Sequence, residues 1–217
     1  MTIEQQIRRK IPYEEFDYQA LLDALSAYSR PRDKITDLMR KDAIVRVKKG
    51  LYIFGPDYAR GPYSRELLAN LIYGPSYVSL DYALSYYGMI PERVETLTCV
   101  TSGKNRVLQT PVGRFVYQTV PLAYYQIGID TAEAGDNRSF LIATKEKALA
   151  DRVRRSDGSA IRTMQDLESY LFEHLRIDPD SLTQLNATLM AEIARSSRMK
   201  RLLIFSGLMR LRTGVTS

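Results

Sequence analysis

SRPRDKITDLMRKDAIVRVKKGLYIF, residues Ser29 to Phe54, decides the reading of this chain. Pro31 stands where proline is tolerated, at the first position of a helix. From there Ile35, Leu38 and Met39 recur at helical spacing and face a core. Arg32, Lys34, Arg40 and Lys41 occupy the other side. Ala43 to Val47 is then rich in β-branched residues, Lys48-Lys49-Gly50 makes a turn, and Leu51 to Phe54 returns as a second strand. Between Arg30 and Gly50 eight Lys or Arg face three Asp, a local charge of about +5. A basic helix followed at once by a basic hairpin is the pattern of a winged helix-turn-helix.

The flanking sequence extends that module. Ile3 to Arg9 reads as a short helix ended by Pro12, and Asp17 is a suitable N-cap for a helix carrying Tyr18, Leu21, Leu22 and Leu25. Three helices and a wing make a first domain of residues 1–54. Gly55-Pro56-Asp57 and Gly61-Pro62 mark its boundary. Residues 63–217 read as a mixed α/β domain with a helical C-terminus, so the expected fold class is α+β. Ser64 to Tyr73 is helical, with Leu67, Leu68, Leu71 and Ile72 inside. Ser79 caps a helix reaching about Tyr87. Strands are expected at 95–101, 106–110, 114–120, 124–129 and 140–143, with a polar loop over 132–138. Thr144 caps a helix in which Lys145 and Lys147 are exposed while Ala148 and Leu149 pack. Three further helices are expected over 164–175, 181–194 and 198–211.

Composition limits the function classes. The 217 residues suit one or two domains, at roughly 150 residues each. Apolar residues make up 45%, enough for a sizeable core. The net charge of +6 permits a polyanionic partner. The one cysteine, Cys99, excludes an intramolecular disulfide or a cysteine metal cage and reads as a small core residue. No apolar run approaches the ~18 residues of a membrane span, and no signal peptide opens the chain, so a cytoplasmic protein without membrane contact is expected. Catalytic patterns are absent: His174 stands alone in an acidic helix, Gly103-Lys104 lacks the spacing of a phosphate loop, and carboxylates are scattered. No enzyme activity, metal or other cofactor is expected. The 15 tyrosines read mainly as packing between sheet and helices.

The basic segment carries the functional expectation. Base edges in the major groove offer donors and acceptors that long polar side chains read. Arg30, Arg32, Lys34 and Arg40 belong to the recognition helix or its start, and Arg46, Lys48 and Lys49 to the wing, where cations meet phosphate. Arg46 is compatible with either sheet face. Near the C-terminus, Arg195 to Arg212 holds six basic residues and no acid. Arg198 and Arg201 are candidates there for extending a DNA footprint or holding an acidic partner.

Three segments resemble a known family. Ser76 to Glu92, SYVSLDYALSYYGMIPE, and Ile142 to Asp151, IATKEKALAD, are similar to the characteristic segments of the bacterial AbiEi abortive-infection antitoxins. Arg46 to Tyr52, RVKKGLY, is similar to their wing. The resemblance spans residues 46–151. It implies a winged helix joined to an antitoxin domain that represses its own operon by binding inverted-repeat double-stranded DNA. It also implies neutralisation of a nucleotidyltransferase-like toxin encoded beside it. Read from the residues alone, Thr144 to Asp151 is a scaffold element: a capped helix start with Glu146 at the positive end of the helix dipole. A protein-protein module without DNA binding is the alternative reading.

Overall fold

A computed structural model describes residues 2–156 and 161–214. The chain begins α1 (Ile3–Lys10), β1 (Glu15–Asp17), α2 (Tyr18–Ala24), α3 (Pro31–Arg40), β2 (Ile44–Lys48) and β3 (Leu51–Phe54). Thr2 and Gln5 form a capping box on α1, Asp17 accepts from the Ala20 N–H to cap α2, and Pro31 opens α3. β1, which the sequence reading did not foresee, joins the hairpin in an antiparallel sheet of order β1-β3-β2. Three residues of Glu-Phe-Asp are too short to show a periodicity.

β3 explains how the two halves of the molecule meet. All four of its residues are buried. Alternation sends Tyr52 and Phe54 into the small N-terminal core, with Ile7, Leu21, Leu25, Ile35 and Leu38. Leu51 and Ile53 point the opposite way, into the large core of the remaining chain, where Val47 joins them. The register keeps both faces consistent. Phe16 and Arg46 lie opposite Tyr52, whereas Glu15 and Val45 lie opposite Ile53. Glu15 accordingly accepts from the Ser64 N–H and pairs with Arg138 of the large unit. Gly50 takes φ +85 in the hairpin turn, a conformation that side chains disfavour.

The larger unit comprises α4 (Arg65–Ile72), β4 (Ser76–Val78), α5 (Leu80–Tyr86), β5 (Leu97–Thr101), β6 (Arg106–Thr110), β7 (Gly113–Thr119), α6 (Leu122–Tyr125), β8 (Ile129–Gly135), β9 (Arg138–Ala143) and α7 (Lys145–Arg155). Its six strands form a mixed sheet of order β6-β7-β5-β4-β9-β8, parallel at β4/β9 and β5/β7. Val78, Cys99 and Tyr117 share the face toward α4, and the Tyr117 hydroxyl donates to the Ala69 carbonyl there at 2.8 Å. Tyr77, Val100 and Gln118 share the opposite face, toward α7. The helical C-terminus follows as α8 (Met164–Glu168) running into a π-helix (Ser169–His174), a 3-10 helix (Pro179–Gln184), α9 (Ala187–Ser197) and α10 (Lys200–Thr213). Among the described residues no helix is long and apolar enough to cross a membrane.

Several expectations give way. The strand expected over 124–129 is absent up to Ile129, where β8 begins: Pro121 opens the single turn of α6. Residues 132–138 are not a loop: they belong to the β8–β9 hairpin, whose turn holds Asp136 and Asn137 at positive φ. The polar alternation of β8 is that of an edge strand with one face in water. β4 was hidden between Gly74-Pro75 and the α5 start. Leu71 is 46% exposed rather than inside. The helix expected from Ser181 is split, because Pro179 starts a 3-10 turn and Asn186 caps a separate α9. Arg198 adopts a left-handed conformation between the last two helices, so α10 starts at Lys200.

The shared strand sets a stability expectation. Ile53→Ala should cost about 2–5 kcal/mol, the usual range for truncating a buried isoleucine. Because residues of β3 sit in both cores, the loss should lower one common unfolding transition in calorimetry. Two resolved transitions, with only one displaced, would contradict that coupling.

Candidate nucleic-acid interface and a buried polar centre

The basic residues of the first module separate by register. Arg46 lies opposite Tyr52, on the sheet face that the N-terminal helices cover, and is exposed. Lys48 lies opposite Leu51 after a bulge between Arg46 and Lys48, which puts it on the other face. Its ammonium donates to the Leu71 and Ile72 carbonyls at 2.8 and 2.7 Å, at the C-terminal end of α4. A cation there satisfies carbonyls that the helix leaves open and complements its dipole. Partial burial lowers the Lys48 pKa. Lys48 therefore tethers the hairpin to the large unit and is not an open wing-tip cation.

Arg30, Arg32 and Lys49 are exposed and form no ion pair among the described residues. Lys34 is half-buried, 5.9 Å from the centre of the Tyr28 ring. Arg40 pairs with Asp37 at 2.9 Å, and its side chain is 76% exposed, so water screens that pair heavily. Lys41 pairs with Glu4 at 3.5 Å. Arg30, Arg32 and Arg40 thus sit on or beside α3, Arg46 on the sheet face shared with it, and Lys49 in the connecting turn.

The two C-terminal candidates differ from each other. Arg198 is exposed. Arg201 is half-buried and donates to the Ser156 carbonyl at 2.6 Å, which joins α10 to the end of α7. Arg212 pairs with Glu168 at 2.8 Å. The basic C-terminal segment is thus partly consumed in packing its own helices.

A second feature was missed by sequence reasoning. Lys147, expected on the surface, is 0% exposed, and Asp151 one turn later is 1% exposed. Thr144 caps α7 by accepting from the Lys147 N–H, and Gly128 makes room for the side chain. A Cβ on Gly128 would come within 2.9 Å of the Lys147 Cβ, and its φ is +75. The Lys147 ammonium donates to the Tyr124 carbonyl at 2.6 Å, lies 3.1 Å from the centre of the Tyr124 ring and 3.9 Å from Asp151 Oδ1. Asp151 Oδ2 accepts from the Ser79 hydroxyl at 2.6 Å and the Tyr77 hydroxyl at 3.1 Å. Ser79 precedes α5, yet its hydroxyl serves Asp151 and does not cap the helix. The Tyr124 hydroxyl, also buried, is a third donor to the Asp151 carboxylate.

Burial dominates the electrostatics of this centre. It pushes the Lys147 pKa down to about 8, although the nearby Asp151 charge favours the ammonium. It raises the Asp151 pKa, against the pull of Lys147 and the hydrogen bond from Ser79. Burial and the Asp151 charge also raise the pKa of Tyr77 and Tyr124. The two segments singled out in the sequence, 76–92 and 142–151, meet here. The signal that could have found the centre is the four-residue spacing of Lys147 and Asp151 on a helix otherwise apolar on that side.

A stability profile follows from these directions. Between pH 8 and 10.5 the unfolded chain holds the Lys147 proton that the folded chain has released. Stability therefore rises with pH in that window from this group, by at most about 1.4 kcal/mol per unit. The tyrosines with raised pKa values act oppositely above pH 10, where the unfolded chain ionises first. Urea titrations should show stability climbing from pH 8 to near 10 and then turning down. Lys147→Met should remove the climb and destabilise at pH 7 by about 3–5 kcal/mol, because it strands the buried carboxylate.

No family model and no curated protein matches this chain. Among solved structures it is similar to the crystal structure of the RV2827C protein from Mycobacterium tuberculosis, at 12% identity and a TM-score of 0.52. The likeness covers 99% of this chain and 81% of that one. At that identity it speaks for the fold alone, a mixed α+β architecture running along the whole chain.

Proposed function

We propose that the N-terminal module is a winged helix-turn-helix that binds double-stranded operator DNA, and that the chain is an antitoxin repressing its own operon. The observation that carries the DNA reading is the distribution of open cations. Arg30 and Arg32 stand at the start of α3, Arg46 on the sheet face that the helices cover, and Lys49 in the β2–β3 turn. The element order, with a third strand β1 completing the hairpin sheet, supports a wing beside a recognition helix. Arg32 suits base edges from the first turn of α3, and Lys49 suits phosphate. The function is recognition, without a catalytic step.

The antitoxin part rests on the resemblance of residues 76–92 and 142–151 to the AbiEi family. It is supported by their convergence on one centre, Tyr77 and Ser79 from the first segment and Lys147 and Asp151 from the second. The partner is then a nucleotidyltransferase-like toxin encoded beside the gene, and the chain acts in the cytoplasm. Co-expression of the full chain with that toxin should restore growth. Growth arrest despite soluble antitoxin would rule the reading out.

The DNA reading is tested by titrating a fluorescent duplex carrying the upstream inverted repeats at several salt concentrations. Lys49→Ala should weaken binding to all sequences and reduce the salt slope by about 1. Arg32→Ala should cost roughly 1–3 kcal/mol on the operator and less on unrelated duplex. Lys48→Ala should lower the melting temperature instead, since its partners are the α4 carbonyls. Absence of salt-dependent binding by the wild type would favour a module that only binds protein.

A further inference from the structure

A groove of about 590 Å³ lies along β1, the outer strand of the three-stranded sheet. We propose that it takes up an extended segment of a partner protein, alternating apolar and basic residues, as a strand added to β1. The backbone supplies the first reason. The Tyr18 N–H donates to the Gly50 carbonyl and the Phe54 N–H to the Glu14 carbonyl. In an antiparallel pair that phase turns the N–H and C=O of Glu15 and the N–H of Asp17 away from β3. None of the three has a hydrogen-bond partner among the described residues. Glu15 is 5% exposed although its side chain is 0% exposed, so the accessible part of it is main chain. An open strand edge of this kind is a template for a further strand, whose main chain supplies the missing partners.

Apolar surface supplies the second reason. Tyr13 and Leu71 line the groove and are 41% and 46% exposed, so two large side chains stand in water beside the open edge. Charge supplies the third reason and selects the occupant. Asp17 and Asp23 also line the groove, and both are exposed. Asp17 accepts from the Ala20 N–H and Asp23 from the Gln19 side-chain amide, both neutral donors, and neither carboxylate is in an ion pair among the described residues. The Glu15 carboxylate is engaged with Ser64 and Arg138, and the Lys10 ammonium donates to the Ala24 carbonyl at 3.1 Å. The groove therefore offers two open carboxylates against one lysine, in a chain of net charge +6. That balance repels a nucleic acid and favours a cationic segment. A second copy is disfavoured, because β1 against β1 sets two acidic edges side by side. The apolar residues of the segment would pack on Tyr13 and Leu71, and its cations would face Asp17 and Asp23.

Fluorescence anisotropy of the full chain at about 0.15 M salt tests this with a short labelled peptide of alternating valine and lysine. A valine–glutamate counterpart is the charge control. Two further lysine peptides carry N-methyl groups, one on its valines and one on its lysines, so that each loses the N–H donors of one edge. The lysine peptide should saturate with a Kd below about 1 mM, with the glutamate peptide about tenfold weaker. One N-methylated peptide should lose about tenfold and the other should bind like the parent, because an added strand uses only one of its edges. Leu71→Lys should abolish binding. Asp23→Lys should weaken the lysine peptide about fivefold and strengthen the glutamate peptide. Both residues are exposed, so both variants should keep their fold. The N-methylated pair keeps the test independent of the variants. The proposal fails if the lysine peptide does not saturate below that concentration, if the glutamate peptide equals it, or if the two N-methylated peptides behave alike. It also fails if Leu71→Lys binds as tightly as the wild type. A dimer of the chain alone in sedimentation, dissolved by Leu71→Lys, would assign the groove to a second copy instead. None of Arg30, Arg32, Arg46 and Lys49 lines the groove, so operator titration is read separately and either proposal can fall without the other.

Discussion

Burial of β3 on both faces is the constraint on which the rest of the molecule depends. A strand with one wet face alternates apolar and polar residues; Leu-Tyr-Ile-Phe has no polar position because both neighbours are cores. The small N-terminal core has few large side chains of its own, and a unit of that size buries little surface alone. Leaning its sheet on the large unit removes the outer face from water. The tether of Lys48 to α4 and the bond from Ser64 to Glu15 then fix the angle of that contact with directional groups. α3, placed on such a base, is oriented relative to everything beyond residue 62. An adaptor joined by the Gly-Pro loop alone would not be.

The Lys147–Asp151 centre performs a comparable service inside the large unit, by different physics. An apolar side chain packs equally well in several rotations of a helix, whereas Asp151 is satisfied only when Tyr77 of β4 and Ser79 at the entry to α5 are both in place. Lys147 adds α6 through the Tyr124 carbonyl. Desolvation makes such a pair a poor source of stability. Its effect is to join four elements in one register, and the lowered lysine pKa and raised aspartate pKa are the measure of what that costs.

Much of this was legible in the sequence where local chemistry decides. Pro31, Asp17 and Thr144 mark helix starts without help from the rest of the chain, and β6, β7 and β9 announce themselves by β-branched and aromatic residues between turns. Legibility ended where a partner distant in sequence decides. β1 and β4 are three residues each and become strands only because β3 and β5 lie beside them. Residues 132–138 looked like a loop because an edge strand can be polar on its wet side. Lys147 looked like a surface residue because lysine almost always is; its burial follows from Asp151, Tyr124 and the space at Gly128. Of the candidate site, the placement of the hairpin residues was not readable, since alternation alone puts Arg46 and Lys48 on one face and a single bulge separates them.

That separation bears on how charge in a sequence converts to a field in space. The segment from Arg30 to Gly50 carries about +5, and counted as a patch it suggests that all eight cations face one polyanion. The fold divides them. Lys48 neutralises helix carbonyls, Lys41 leans on Glu4, and Arg40 shares its charge with Asp37. The open set reduces to Arg30, Arg32, Arg46 and Lys49, with Lys34 half-covered by its own helix packing. The same division operates at the C-terminus, where Arg201 and Arg212 are engaged in joining helices while Arg198 is exposed. A cation that holds a carbonyl within its own chain still contributes to the long-range attraction for a phosphate backbone, but it cannot approach a phosphate without giving up its contact. For any polyanionic partner, long-range steering therefore follows the full count of basic residues, whereas close contacts fall to the open set alone.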